Sequence, residues 1–116
     1  MENTPRLRVA FYRSGTGREP VREWLKALPR VERKAIGEEI KTVQFGWPLG
    51  MPLVRKMEPE LWEVRIRHGD GIARIFFTLE GDVMVLLHAF IKKGRKTPKK
   101  ELALARKRLA QVKGRK

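Results

Sequence analysis

From Leu61 to Ile91 the chain is a succession of strand-like segments broken only by two short glycine-bearing turns, and no helical arrangement accommodates that run. Trp62, Val64 and Ile66 alternate with Glu63, Arg65 and Arg67, which predicts a strand buried on one face and charged on the other. After Gly69-Asp70-Gly71 comes Ile72 to Leu79, then a tight turn at Glu80-Gly81-Asp82, then Val83 to Ile91. Three antiparallel strands joined as a meander are the simplest outcome. The last of them is apolar on both sides, as expected for a strand in the middle of a sheet or covered on both faces.

The flanking sequence supplies the remaining layers. Leu7 to Tyr12 alternates with period two and stops at Ser14-Gly15-Thr16-Gly17, which predicts a first strand. Pro20 suits the first turn of a helix in which Val21, Trp24, Leu25 and Leu28 share a face, and Pro29 interrupts it. A second helix from about Val31 carries Ile36, Ile40 and Val43. The two prolines and two glycines between Phe45 and Leu53 predict an ordered loop packed on the core. Thr97-Pro98 reads as an N-cap and first-turn pair for a terminal helix bearing Leu102, Ala105, Leu109 and Val112. The expected fold is α+β, a small antiparallel sheet in the order β-α-α-β-β-β-α. It forms one domain over residues 1–116, with a basic C-terminal helix and tail at 97–116.

Charge is the second constraint. The chain carries 27 Lys+Arg against 13 Asp+Glu, a net charge of +14, while 41% hydrophobic residues are enough for a folded core. Residues 1–90 contribute only +3 of that charge and residues 91–116 contribute +11. Such a density favours a polyanion as partner, with a solvated charged tail as the plainer alternative. The absence of cysteine excludes a disulfide scaffold, a thiolate nucleophile and a zinc finger, and two histidines are too few for a metal cage. No apolar run approaches a membrane span and the first residues lack a signal-peptide core, so a cytoplasmic protein that contacts no membrane is expected.

The strand pairing places chemistry on one face. A turn over His68 to Gly71 sets Arg65 opposite Arg74, and a turn over Glu80 to Asp82 sets Arg74 opposite His88. Arg65, Arg74 and His88 then form a row across three strands, with Phe90 and Lys92 further along the last. Adjacent arginines destabilise a sheet unless an anion or carboxylate lies between them. Either Glu63, Glu80 and nearby acids neutralise them, or the row binds an anion. His88 by itself is as well explained as a hydrogen-bonded core residue. A cationic face suits RNA cleavage, because the 2′-hydroxyl is the nucleophile and the protein need only position, stabilise charge and move protons. Arginines hold the phosphate bidentately, and a lysine crowded by cations or a histidine transfers protons. The products are a 2′,3′-cyclic phosphate and a 5′-hydroxyl, and neither a metal nor another cofactor is required.

Several blocks, in order, carry a family resemblance: Gly17 to Leu25, Ile40 to Pro52, Leu61-Trp62-Glu63-Val64-Arg65, and Leu87 to Lys93 with Lys96-Thr97-Pro98. Together they resemble the phage-derived branch of the RelE/HigB toxins of type II toxin–antitoxin systems. The resemblance implies a small sheet flanked by helices, ribosome-dependent cleavage of mRNA, and a cognate antitoxin that is a helix-turn-helix protein. It implies catalytic roles for Arg65, Arg74, His88 and Lys92. It places Arg55 and Lys56 in a basic loop before the sheet and Lys93 in a C-terminal cationic group; with Arg67, Phe90, and Arg95 and Lys96, which extend the positive field, these are the expected RNA contacts. Phe90 stands where many relatives carry a tyrosine or histidine, which retains stacking but not a phenolic acid. A gyrase-poisoning toxin of the ParE type and a non-catalytic nucleic-acid-binding module are the competing expectations.

Overall fold

The computed structural model of the chain describes residues 4–69, 71–92, 94 and 96–114. Its elements run β1 (Arg8–Phe11), α1 (Pro20–Ala27), α2 (Arg30–Gly46), β2 (Val54–Glu58), β3 (Leu61–His68), β4 (Gly71–Glu80), β5 (Val83–Lys92) and α3 (Lys99–Gly114). One five-stranded sheet has the order β1-β5-β4-β3-β2. The fold is therefore α+β as expected, with the meander at its centre.

Two features of the sheet differ from expectation. The sheet is mixed, because β1 lies parallel to β5 while the other pairs are antiparallel. It also has an extra strand, β2, so Arg55 and Lys56 lie on an edge strand and not in a loop. Val-Arg-Lys-Met-Glu lacks a strand pattern because an edge strand keeps its charges exposed. Its turn into β3 uses Pro59 and then Glu60 at φ 63°, the proline-first geometry of a type II turn. α2 continues through Phe45 and Gly46 before the chain breaks at Trp47. Trp47, Leu49 and Leu53 then pack on the core, as the apolar loop requires.

Each face of the sheet buries its own cluster. α1 and α2 bring Val21, Ile36, Ile40 and Val43 against Val64, Ile75, Phe77, Met84 and Leu86. Trp47 sets its ring edge-on to Trp62 and Phe77, with centroids 5.5 and 5.7 Å away. On the opposite face α3 lays Leu102, Ala105 and Leu109 over Leu61, Phe76, Val85, Leu87 and Phe90. β5 is thus covered on both sides, which accounts for its apolar composition. Each large side chain removed from water in this way contributes roughly 1.5–3 kcal/mol.

β5 contains a bulge that resets one face. Glu80 pairs with Val83 across a two-residue turn in which Gly81 takes φ 61°, so the turn is one residue shorter than expected. Phe77 pairs with Leu86 but Phe76 pairs with His88, leaving Leu87 as the extra residue. Arg74 consequently stands opposite Phe90 and not opposite His88. The bulge keeps Leu87, His88 and Phe90 over the side that α3 covers.

Candidate functional site

On the α3 side of the sheet the register arranges side chains in three successive rows. Arg55, Glu63, Phe76 and His88 form the first, Arg65, Arg74 and Phe90 the second, and Arg67, Ile72 and Lys92 the third. α3 lies over the first row and the apolar residues behind it, and it leaves the third row open. The face is therefore covered at one end and bare at the other.

A fully buried carboxylate, Glu63, lies between the two arginines of the second row. Glu63 and Arg74 are both 0% exposed. Glu63 Oε2 accepts from Thr97 Oγ1 at 3.1 Å and lies 3.5 Å from Arg74 Nη1. Arg74 Nη1 also donates to Thr97 Oγ1 at 3.1 Å, and Nη2 donates to the Gly94 carbonyl at 2.9 Å. Thr97 is thus committed to this cluster. The first turn of α3 begins instead on the Pro98 carbonyl, which accepts from the amides of Glu101 and Leu102, so Thr97 is not the N-cap. Arg65 lies on the other side of Glu63, its Nε 3.6 Å from Oε1, and its side chain retains 19% exposure. Glu63 is the neutralising carboxylate that the sequence offered as the alternative to a bound anion.

His88 belongs to the covered end. Its Nε2 is 2.5 Å from Glu101 Oε1, and its Nδ1 is 3.5 Å from Arg108 Nη1. A carboxylate only accepts and a guanidinium only donates, so these contacts assign the proton to Nε2. The His88, Phe76 and Phe90 rings form a triangle, with the His88 centroid 6.4 Å from Phe76 and 5.7 Å from Phe90 and the two phenyl centroids 5.9 Å apart. Phe90 is only 8% exposed and presents no open ring face for a base.

The cations of α3 divide between anchoring and exposure. Arg106 grips Glu58 through Nε at 3.0 Å and Nη2 at 2.7 Å, which holds the Glu58 carboxyl below its ordinary value. Lys113 reaches the Leu79 carbonyl, Glu60 and Glu80. Burial alone would lower its pKa, but the hydrogen bonds to Glu80 and Glu60 and their charges prevail and raise it. Arg108 donates to the Leu87 carbonyl at 2.9 Å and lies over the Tyr12 ring at 5.1 Å, with burial lowering its pKa. Lys99, Lys100 and Lys107 stay exposed.

The bare end opens into a cleft of about 450 Å³ lined by Arg65, Arg67 and Ile72 of the sheet, Pro52 and Leu53 of the loop, and Glu39 of α2. The Arg65 amide donates to the Leu53 carbonyl at 2.8 Å, which ties the loop wall to the sheet. Volumes of this order accept a small ligand. Here the polar groups are two guanidiniums and a carboxylate against an apolar wall. Lys92 is exposed in the same row as Arg67. Among the described residues Arg55, Arg67 and Lys92 form no ion pair.

Of the residues singled out from sequence, the structure brings Arg65 and Arg67 together at the cleft, with Lys92 further along that end. It puts Arg74, His88 and Phe90 inside. Arg55 is exposed on the same face as Glu63, whereas Lys56 is on the other face, its ammonium 5.6 Å from the Trp62 ring centroid. Lys96 is exposed, and Lys93 and Arg95 lie outside the described residues. Sequence reasoning did not identify Glu39, Pro52 or Leu53 as cleft walls, because they reach it from elements distant in the chain. Glu101 stands out in the sequence as the lone acid of the basic segment, which is the one local signal of its internal partner His88.

Among the described residues there is no cluster of three or more His, Cys, Asp or Glu placed to hold a metal ion, and no helix is long and apolar enough to cross a membrane. No curated protein matches the chain. Residues 23–110 match the family described as Phage derived protein Gp49-like (DUF891), a span from α1 to α3 that includes the cleft arginines, the buried Glu63 cluster and the His88–Glu101 pair. More than half of the chain is covered by that match, and the chain belongs to the phage-derived Gp49-like family, which is associated with toxin–antitoxin systems.

Proposed function

We propose that the chain is the toxin of a type II toxin–antitoxin pair, and that it cleaves mRNA on the ribosome by attack of a 2′-hydroxyl on its own neighbouring phosphate. The observation that carries this reading is the bare, cationic end of the sheet, where Arg65 and Arg67 line a cleft with an apolar wall. Family membership supports the toxin assignment. Arg65 and Arg67 hold the phosphate oxygens as negative charge develops on them. Lys92, exposed in the same row as Arg67, takes or returns a proton. The 2′-oxygen bonds to phosphorus, the 5′-oxygen leaves with a proton, and a 2′,3′-cyclic phosphate remains. Arg74 acts from inside as the counter-charge of Glu63, and His88 fixes the start of α3 through Glu101. A helix-turn-helix antitoxin would silence the toxin by covering the bare end.

The test is brief induction in cells followed by mapping of mRNA 5′ ends. New ends within translated frames, lost in Arg65→Ala, are expected, and purified programmed ribosomes should give the same cuts in excess chelator. Intact mRNA with a DNA-damage response would replace this reading by gyrase poisoning. Growth arrest with neither would leave a non-catalytic binder.

A further inference from the structure

Neutralisation alone does not account for the arrangement around Glu63. One buried carboxylate needs one counter-charge, yet Glu63 has Arg74 and Arg65 on either side and is itself 0% exposed. Its two oxygens are used differently. Oε2 is fixed by Thr97 and Arg74 in a closed triangle, and Arg74 is in turn tied to the Gly94 carbonyl. Oε1 and Arg65 Nε are buried atoms without a hydrogen bond, and they face each other at 3.6 Å. Buried polar atoms are rarely left in that state, and a pair just beyond bonding distance closes with a small shift of the longer side chain.

Charge balance assigns the roles. Arg74 cancels Glu63 and offers nothing to solvent, so the Arg65 charge remains uncancelled. With Nε drawn toward Glu63, the terminal nitrogens of Arg65 are left for a ligand in the cleft it lines. We infer that Glu63 is a positioning residue: held by Arg74 and Thr97, its free oxygen orients the Arg65 guanidinium toward a phosphodiester in the cleft. The nucleic-acid ligand rests on the reading in the previous subsection, while the orientation of Arg65 does not.

Glu63→Leu alone strands the Arg74 charge, so the informative background is Glu63→Leu with Arg74→Met, which removes both charges and the oxygen that faces Arg65. Two measurements on the full chain separate the claims. By NMR, the Arg65 Nε–Hε vector should be ordered in the wild type and mobile in the double variant; equal order in both overturns the positioning role. By fluorescence anisotropy with a short 2′-O-methyl RNA, which binds without being cut, Arg65→Lys should weaken wild-type binding about tenfold or more. In the double variant the same change should cost no more than about twofold, because the anchor is already gone. An equal loss in both backgrounds overturns the proposal. If the wild type binds no RNA while Arg65 Nε–Hε is ordered, the RNA reading falls and the positioning role stands. Should the double variant not fold, Glu63→Asp keeps the charge and withdraws the carboxylate by one methylene. It should raise Arg65 mobility, and unchanged order there counts against the proposal equally.

Discussion

The two ends of the sheet face beneath α3 use the same residue types for opposite purposes. At the covered end Arg106, Arg108 and Lys113 are committed to Glu58, the Leu87 carbonyl, Glu60 and Glu80, and they fasten a helix whose apolar stripe is narrow. At the bare end Arg67 and Lys92 have no ion pair among the described residues, and Arg65 has only a loose one with Glu63. Whether a cation stabilises the fold or waits for a ligand is decided by acceptors within reach, not by the number of cations nearby. A net charge of +14 is therefore partly structural. The fully buried Glu63, Arg74 and the half-buried Thr97 form the border between the two regimes.

The border is where the largest effect is expected. Glu63→Leu leaves the Arg74 guanidinium buried without its carboxylate and should cost about 3–5 kcal/mol in urea unfolding. Adding Arg74→Met to that variant should return most of the loss, because replacing both partners of a buried pair by apolar groups is often near neutral. A single substitution as mild as the double one would mean that the border is not a closed charge pair.

How far this contrast could be read beforehand depends on what each element exposes to sequence pattern. The β3–β4 register was legible because Arg65, Arg67 and Glu63 alternate with apolar residues, so a slip would bury the wrong face; Arg65 does stand opposite Arg74. The bulge at Leu87 was not legible. A strand that is apolar on both sides looks the same before and after one extra residue, and the turn at Gly81 is one residue shorter than the sequence suggests; each moves the pairing by one, which puts Phe90 and not His88 opposite Arg74. β2 was missed because an edge strand needs only one row of backbone partners and tolerates Arg55 and Lys56 in the open. The cleft arginines could be named from sequence, but its Glu39, Pro52 and Leu53 walls could not. The anchoring of α3 depends on pairs such as Arg106 with Glu58, which are far apart in the chain and share no local pattern.

The open end offers a sharper separation of the two regimes. Arg67→Ala and Lys92→Ala should each change stability by no more than about 0.5 kcal/mol, since among the described residues neither side chain has an ion pair. Each should nevertheless reduce the dependence of RNA binding on salt, lowering the slope of log K against log salt by about 0.7 for each phosphate that is no longer neutralised. Arg106→Ala should do the reverse, lowering the unfolding temperature with the slope unchanged. A slope that falls equally in all three variants would erase the distinction between anchoring and waiting cations.

The smallest effect tests the covered end by pH. Glu58 is held below its ordinary carboxylate value chiefly by its hydrogen bonds with Arg106. Its folded pKa is thus lower than its unfolded pKa, and the folded state prefers the ionised form. The resulting stabilisation is fully present above the unfolded pKa and is lost as pH falls through the folded value. Asp82 beside Arg8 and Glu23 beside Arg18 are lowered in the same direction, so wild-type acid sensitivity is a composite. Arg106→Met isolates the Glu58 share, because the other two pairs are untouched by it. The difference in unfolding temperature between wild type and variant should be greatest near neutral pH and shrink on acidification through the carboxylate range. A difference that stays constant with pH would mean that Arg106 contributes packing along its aliphatic stem and not the charged grip that ties α3 to β2.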